Sequence, residues 1–249
     1  MLSKDFEGKY ALVTGAASGM GARTATMLCE RGLAGLVVTD LNVEGAEATK
    51  AECEKHGTEV HVCPGDITDV DAVKRITDFA LDAFPRIDIL VNAAGISPYN
   101  DPWDTESAEH FDRIVTTNLR SQFLFIQPIV KQMVENGYGK VVNFSSCVAR
   151  TGSGLSLSYA ASKGGILSMT RSLAKVVGKH GVNVNAVLPG VIDTPMCAGA
   201  DYSEAAKAWP IQRMGSAEEV VEVACFLASD RASYMQGAGV DVNGGYVMG

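Results

Sequence analysis

The chain has 249 residues, 47% hydrophobic and 20% charged, enough for one α/β domain with a sizeable core. A formal net charge of −8 disfavours nucleic acid and anionic membrane surfaces as partners, but not small anionic cofactors, which local donors can hold. Residues 1–10 lack the basic and then apolar run of a signal peptide, no apolar stretch is long enough to span a bilayer, and the six cysteines form no C-x-x-C; these features predict a cytoplasmic protein with reduced thiols.

In chain order, Ala11–Val13 is the first predicted strand and Gly19–Arg31 the first helix. Strands Gly35–Thr39 and Val60–Cys63 flank a helical pattern over Val43–His56, and Val70–Phe84 is helical before a strand at Ile87–Val91. Helix Ser121–Glu135, strand Lys140–Phe144, helix Ser158–Val177 and strands Asn183–Val187 and Gly239–Val242 complete the pattern. The strands are apolar with little alternation, as in a parallel sheet covered on both faces. The βαβα rhythm predicts an α/β, Rossmann-type doubly wound fold with right-handed crossovers. With no linker or repeat, residues 1–249 read as a single domain. Pro189-Gly190 ends the sixth strand, and the Gly- and Pro-punctuated stretch 190–215 is predicted to be a substrate lid at the sheet's carboxyl edge.

Between the first strand and helix stands Thr14-Gly15-Ala16-Ala17-Ser18-Gly19-Met20-Gly21, a G-x-x-x-G-x-G spacing. Gly15 permits a tight turn, while Gly19 and Gly21 let backbone and helix N-terminus approach a pyrophosphate. The second strand leads into Asp40, whose carboxylate suits the two hydroxyls of an adenosine ribose and repels a 2′-phosphate. No Lys or Arg precedes Gly21 in the loop, and Leu41 follows the aspartate. The predicted cofactor is therefore NAD(H).

Tyr159 and Lys163 lie at i and i+4 of a predicted helix, which puts them on one face. A phenol titrates near ~10 and is a poor base at neutral pH. A neighbouring ammonium is expected to lower that value, so that Tyr159 can exchange a proton with an alcohol. Asn143-Phe144-Ser145-Ser146 and Asn92-Ala93-Ala94-Gly95 end the fifth and fourth strands at the same sheet edge.

These motifs, with Asp66, Asn118 and Pro189-Gly190 in order along the whole chain, resemble the short-chain dehydrogenase/reductase family. The resemblance implies a seven-stranded parallel sheet flanked by helices and a Ser-Tyr-Lys-Asn catalytic group. Tyr159 would transfer the proton and Ser146 would hydrogen-bond the substrate oxygen. Lys163 would bind the nicotinamide ribose and tune Tyr159, and Asn118 would hold a water linking Lys163 to solvent. Ser146, thirteen residues before the tyrosine, is preferred over Ser145, which strand alternation turns to the opposite face. The resemblance further assigns Gly15, Ser18, Gly19, Met20, Gly21, Asp40 and Leu41 to the cofactor. It assigns Asp66 and Ile67 to adenine, Asn92, Ala93 and Gly95 to the adenosine flank, and the Pro189-Gly190 segment with Ile192 and Thr194 to the carboxamide. It also implies a homotetramer assembled through residues 104–135, 158–177 and the C-terminal strand region.

The expected reaction interconverts a secondary alcohol and a ketone, on a hydroxysteroid, cyclic alcohol or polyol. A 3-oxoacyl thioester reductase and a non-catalytic NAD-binding sensor are the alternatives. No serine has glycine both two residues before and two residues after it, as the G-x-S-x-G of a hydrolase elbow would, and no Cys or carboxylate cluster completes a metal site around His56 and His61. Candidate pocket walls are Ser97, Tyr99, Val148, Leu155, Met196, Tyr202 and Trp209.

Overall fold

In the computed structural model, which describes residues 4–97, 102–198 and 201–248, the β-branched runs form strands and the longer amphipathic runs form helices between them. The strands are β1 (Tyr10–Thr14), β2 (Gly35–Thr39), β3 (Glu59–Val62), β4 (Ile89–Asn92), β5 (Gly139–Phe144), β6 (Val182–Pro189), β7 (Ile192–Asp193), β8 (Gly215–Ser216) and β9 (Gly239–Val242). The helices are α1 (Gly19–Glu30), α2 (Val43–Glu54), α3 (Val70–Ala83), α4 (Ala108–Val115), α5 (Ser121–Asn136), α6 (Val148–Thr151), α7 (Leu157–Val177), α8 (Ser203–Ala206) and α9 (Ala217–Ala228).

Seven strands form one parallel sheet in the order β3-β2-β1-β4-β5-β6-β9, and β7 and β8 form a short parallel ladder of their own. Successive residues of each strand point to opposite faces, so the sheet feeds two cores. Val13, Val38, Val91 and Val142 pack with Met27, Leu28, Val221 and Cys225 on one face. Leu12, Val37, Leu90 and Val141 pack with Ile76, Phe125, Ile129 and Met133 on the other. Each fully buried aliphatic side chain here contributes about 1.5–3 kcal/mol.

All seven predicted strands are in the main sheet, and the predicted helices appear with ends shifted by one or two residues. Several elements were not anticipated. The β7–β8 ladder joins the two ends of the loop predicted at 190–215, which also carries the short α8 and a 3₁₀ turn at Pro195–Cys197. Helix α4 runs into a π-helical turn, Thr116–Arg120, before α5. Helix α9 opens on a reciprocal capping box between Ser216 and Glu219. The sheet order reverses at β1 and β4, whose carboxyl ends therefore border the crevice where open parallel sheets place their ligands.

Candidate active site

In the turn from β1 to α1, Gly15 and Gly21 stand where a side chain would clash. Gly15 has φ +68°, and a Cβ on it would stand 2.6 Å from Ala94 Cα; a Cβ on Gly21 would stand 2.0 Å from the Gly15 carbonyl oxygen. The side chain of Ser18, at the N-cap of α1, makes no capping bond, and the first turn holds no acidic residue. The helix therefore keeps its N-terminal N–H groups and positive dipole end for an anion. Asp40 closes the loop from the other side, Oδ2 accepting from Ala17 N–H and Oδ1 from Asn42 N–H, both at 2.9 Å. Its carboxylate is thus pre-oriented by backbone rather than by a counter-charge.

A cavity of about 590 Å³ lies over this loop. Gly15, Ser18, Gly19, Met20, Gly21, Asp40, Leu41, Asp66, Ile67, Ala93, Gly95 and Thr194 all line it. The wall also includes Thr68, Ile96, Arg113, Thr117 and Met196. Thr194 and Pro195 come within 3.7–3.8 Å of where a Cβ on Gly19 would be, so the start of the 190–215 segment reaches over the glycine turn. Asn92 is buried beside the cavity, its Nδ2 donating to Asn143 Oδ1 at 2.9 Å, and Asn143 in turn donates to Thr170 Oγ1 on α7 at 2.9 Å. Pro189 and Gly190 end β6, where Pro189 O accepts from Cys147 N–H and Gly190 N–H donates to Val242 O. Ile192 is buried and borders a second cavity of about 390 Å³, shared with Trp209 and Tyr246.

Gly95 connects the large cavity to the catalytic candidates. A Cβ there would stand 3.1 Å from Asn118 Oδ1 and 3.6 Å from Lys163 Nζ. Asn118 sits in the π turn, an irregularity often found at functional positions. Its Oδ1 accepts from Ile96 N–H at 2.8 Å, and its Nδ2 donates to Ile96 O at 2.9 Å and to Ser162 Oγ at 3.2 Å. Ser162 Oγ then donates to Tyr159 O at 2.8 Å. The side chain of Asn118 is spent on fixing this strand end and the helix that carries Tyr159.

The Ser146 hydroxyl lies beside the Tyr159 phenol, close enough to lower its pKa. The neighbouring Ser145 instead donates to Lys163 O at 2.8 Å, on the other side of the strand end. Lys163 is buried, with its Nζ donating to Phe144 O at 3.1 Å and lying 5.6 Å from the Tyr159 ring centre. Burial lowers Lys163 to about 8, because the ammonium is taken out of water with no carboxylate to replace it. Tyr159 moves the opposite way, pushed up to about 12 by burial; the Ser146 hydroxyl pulls it down, and the neighbouring Cys147, Cys197 and Tyr202 raise it. The expected depression of the phenol is therefore not a property of the protein alone: desolvation dominates, and the phenol holds its proton.

The fold thus brings Ser146, Tyr159, Lys163 and Asn118 together and places most of the expected nucleotide residues on one continuous wall. Sequence reading missed Thr14, whose hydroxyl accepts from Ala93 and Ala94 N–H at 3.2 Å each, and Ser162. Both hydroxyls bond residues 44 to 80 positions away in the chain, so no spacing signals them. Among the candidate pocket walls, Met196 lines the large cavity, Trp209 the smaller one, and Tyr202 adjoins Tyr159; Leu155 is exposed, and Tyr99 lies outside the described residues. Among the described residues, no three His, Cys, Asp or Glu side chains group as a metal site, and no helix is long and apolar enough to cross a membrane.

A family model described as enoyl-(acyl carrier protein) reductase matches residues 15–247. The chain is 38% identical to a cis-4-hydroxycyclohexanecarboxylate dehydrogenase of Sinomonas cyclohexanicum, over 98% of this chain and 99% of that protein. It is 35% identical to a 3-oxoacyl-(acyl-carrier-protein) reductase of Thermotoga maritima, over 97% and 99% of the two. The crystal structure of a levodione reductase superposes with a TM-score of 0.92 at 35% identity, covering 96% of this chain and 98% of that one. With this fold, this crevice and these relatives over nearly its whole length, the chain belongs to the short-chain dehydrogenase/reductase family and is an oxidoreductase.

Proposed function

We propose that the protein is an NAD(H)-dependent dehydrogenase that interconverts a secondary alcohol and a ketone, with Tyr159 as its acid/base. The observation that carries this reading is a buried Lys163 whose Nζ lies 5.6 Å from the Tyr159 ring centre, with the Ser146 hydroxyl beside the phenol, one glycine away from a cavity of about 590 Å³. The residues present fit the cofactor: the glycine cradle would be filled by any Cβ on Gly21, the N-terminus of α1 is left uncapped by side chains, and Asp40 is aimed at the cavity. A bound nicotinamide dinucleotide supplies the hydride acceptor or donor. Asp40, with exposed Leu41 after it, favours NAD(H) over a 2′-phosphorylated cofactor by charge repulsion.

In the reducing direction, the protonated Tyr159 gives its proton to the ketone oxygen while Ser146 Oγ holds that oxygen. In the oxidising direction, the Tyr159 phenolate takes the alcohol proton, and Lys163 stabilises the phenolate and would hold the cofactor ribose. Asn118 keeps the strand end and the tyrosine helix in register, and a water on its turn would pass protons from Lys163 to solvent. Ile192 and Thr194, after Pro189-Gly190, would hold the carboxamide, and residues 190–215 would act as the substrate lid.

Besides Ser146 and Lys163, the surroundings of Tyr159 include two thiols and a phenol, Cys147, Cys197 and Tyr202. This lining suits a carbocyclic alcohol, and the relative from Sinomonas cyclohexanicum acts by name on a hydroxycyclohexane. The relative from Thermotoga maritima keeps a 3-oxoacyl thioester as the second reading, against which the charge of Asp40 weighs when the reductant is NADPH. The six free cysteines suit the reducing cytoplasm.

The test is absorbance of the reduced cofactor with NAD or NADP across cyclic alcohols, hydroxysteroids, polyols and 3-hydroxyacyl thioesters, with Tyr159→Phe in parallel. The expected result is NAD-dependent turnover of a cyclic alcohol, reduced by at least about 100-fold in the variant, the scale of general acid–base catalysis. NADH binding should survive the substitution. Turnover confined to thioesters with NADP would replace the proposed substrate and cofactor. Tight NADH binding with no turnover of any alcohol would make the protein a sensor.

A further inference from the structure

Tyr159 is the third residue of α7, in the first turn, where N–H groups have no acceptor within the helix. Two of these donors are met from outside. Tyr159 N–H donates to Ser156 Oγ at 3.2 Å, and Ser158 N–H donates to Glu106 Oε1 at 3.3 Å. The hydroxyls of Ser156 and Ser158 bond each other at 3.1 Å, and Ser158 is fully buried.

Glu106 comes from a distant part of the chain, the stretch leading into α4. Its own N–H donates to Pro102 O at 3.0 Å, and the next residue, Ser107, caps α4 by accepting from His110 N–H at 3.1 Å. Helices α4 and α7 pack against each other, so a fixed α4 entry gives the Glu106 carboxylate a fixed place. The carboxylate also faces the positive end of the α7 dipole.

We propose that Glu106 is a positioning residue for the reaction: it holds the first turn of α7, and with it sets the Tyr159 phenol against Ser146 and Lys163. Its importance for turnover rests on the role proposed above for Tyr159; the tether itself does not. The phenol sits on the turn that would fray, its carbonyl is already held by Ser162, and without Glu106 the buried Ser158 N–H has no acceptor.

The test compares wild type, Glu106→Ala and Glu106→Gln by amide hydrogen exchange over residues 157–161, NADH fluorescence titration and steady-state kinetics. In Glu106→Ala the Ser158 and Tyr159 amides should exchange faster. In that variant kcat should fall about 10- to 100-fold, the cost of a small misplacement of a reacting group. KM for the alcohol and the Kd of NADH should stay within about twofold, less than half a kcal/mol. Glu106→Gln keeps an acceptor oxygen and should restore both protection and kcat. Unchanged exchange in Glu106→Ala would overturn the tether whatever the activity. Faster exchange with unaltered kcat would overturn the positioning role, as would a kcat loss that Gln does not rescue. A wild type that turns over no alcohol would refute the proposed reaction, while the exchange data would still decide the tether.

Discussion

Lys163 carries an electrostatic cost that sets how the protein responds to pH. Its ammonium is buried with one carbonyl partner, and its value falls to about 8 from a reference of 10.5. Between those two values the unfolded chain binds a proton that the folded chain has released, so raising the pH through this window stabilises the fold; below 8 both states are protonated and the full burial cost is present. Lys163→Met should therefore show its largest stability advantage over wild type near pH 7, and that advantage should shrink from pH 8 to 10.5. Urea unfolding of both proteins across this range reads the difference; a constant difference would contradict it. Tyr159 titrates higher and with the opposite sign, so its contribution falls at the upper end of this range and above it. None of this was legible in the Y-x-x-x-K spacing. The spacing places the two side chains on one face, but the sign of the phenol's shift is set by burial within the fold, to which Cys147, Cys197 and Tyr202 add electrostatically.

At the scale of elements, the β1–α1 turn is held by contacts that distinguish its glycines. Gly21 faces the Gly15 carbonyl so closely that a methyl group requires the turn to move, whereas a methyl on Gly19 meets nothing nearer than 3.7 Å and is opposed only by its φ of +56°. Gly21→Ala should destabilise the fold by about 1–3 kcal/mol, as overpacking does, and abolish NADH binding. Gly19→Ala should cost about 1–2 kcal/mol from the left-handed backbone. Thermal unfolding and NADH titration of the two variants check the order; equal effects would show that the clash at Gly21 relaxes freely. The glycine motif itself was plain in the sequence, because backbone geometry demands glycine locally. Helix α9 went unread although Ser216-x-x-Glu219 is a capping-box spacing, since a four-residue cap is common and acquires meaning only when an apolar run is seen to pack behind it. The π turn at Thr116–Arg120 has no sequence signature at all: it forms where Asn118 is drawn to Ile96 and Ser162.

For the whole molecule, the protomer leaves Phe123 on α5 and Leu157 and Val176 on α7 substantially exposed, 45%, 53% and 63%. These helices lie in the stretches expected to build a homotetramer, and apolar side chains on them gain by being covered. We expect the protein to sediment at four times its 26.3 kDa protomer mass. Val176→Glu together with Phe123→Glu should yield smaller species of unchanged protomer fold by circular dichroism. A wild-type monomer at micromolar concentration would refute the expectation.

The sequence by itself determined the strand and helix order, the parallel sheet, the glycine turn, the acidic end of β2 and the pairing of Tyr159 with Lys163. Each is a local property: periodicity, turn geometry or helical spacing. Only the tertiary structure decided that Asn118 bonds Ser162, that Gly95 joins the cavity to Lys163, and that burial raises the phenol while lowering the lysine. These depend on distances between residues 12 to 68 positions apart and on the water excluded between them, and neither is written in the spacing of residues along a chain.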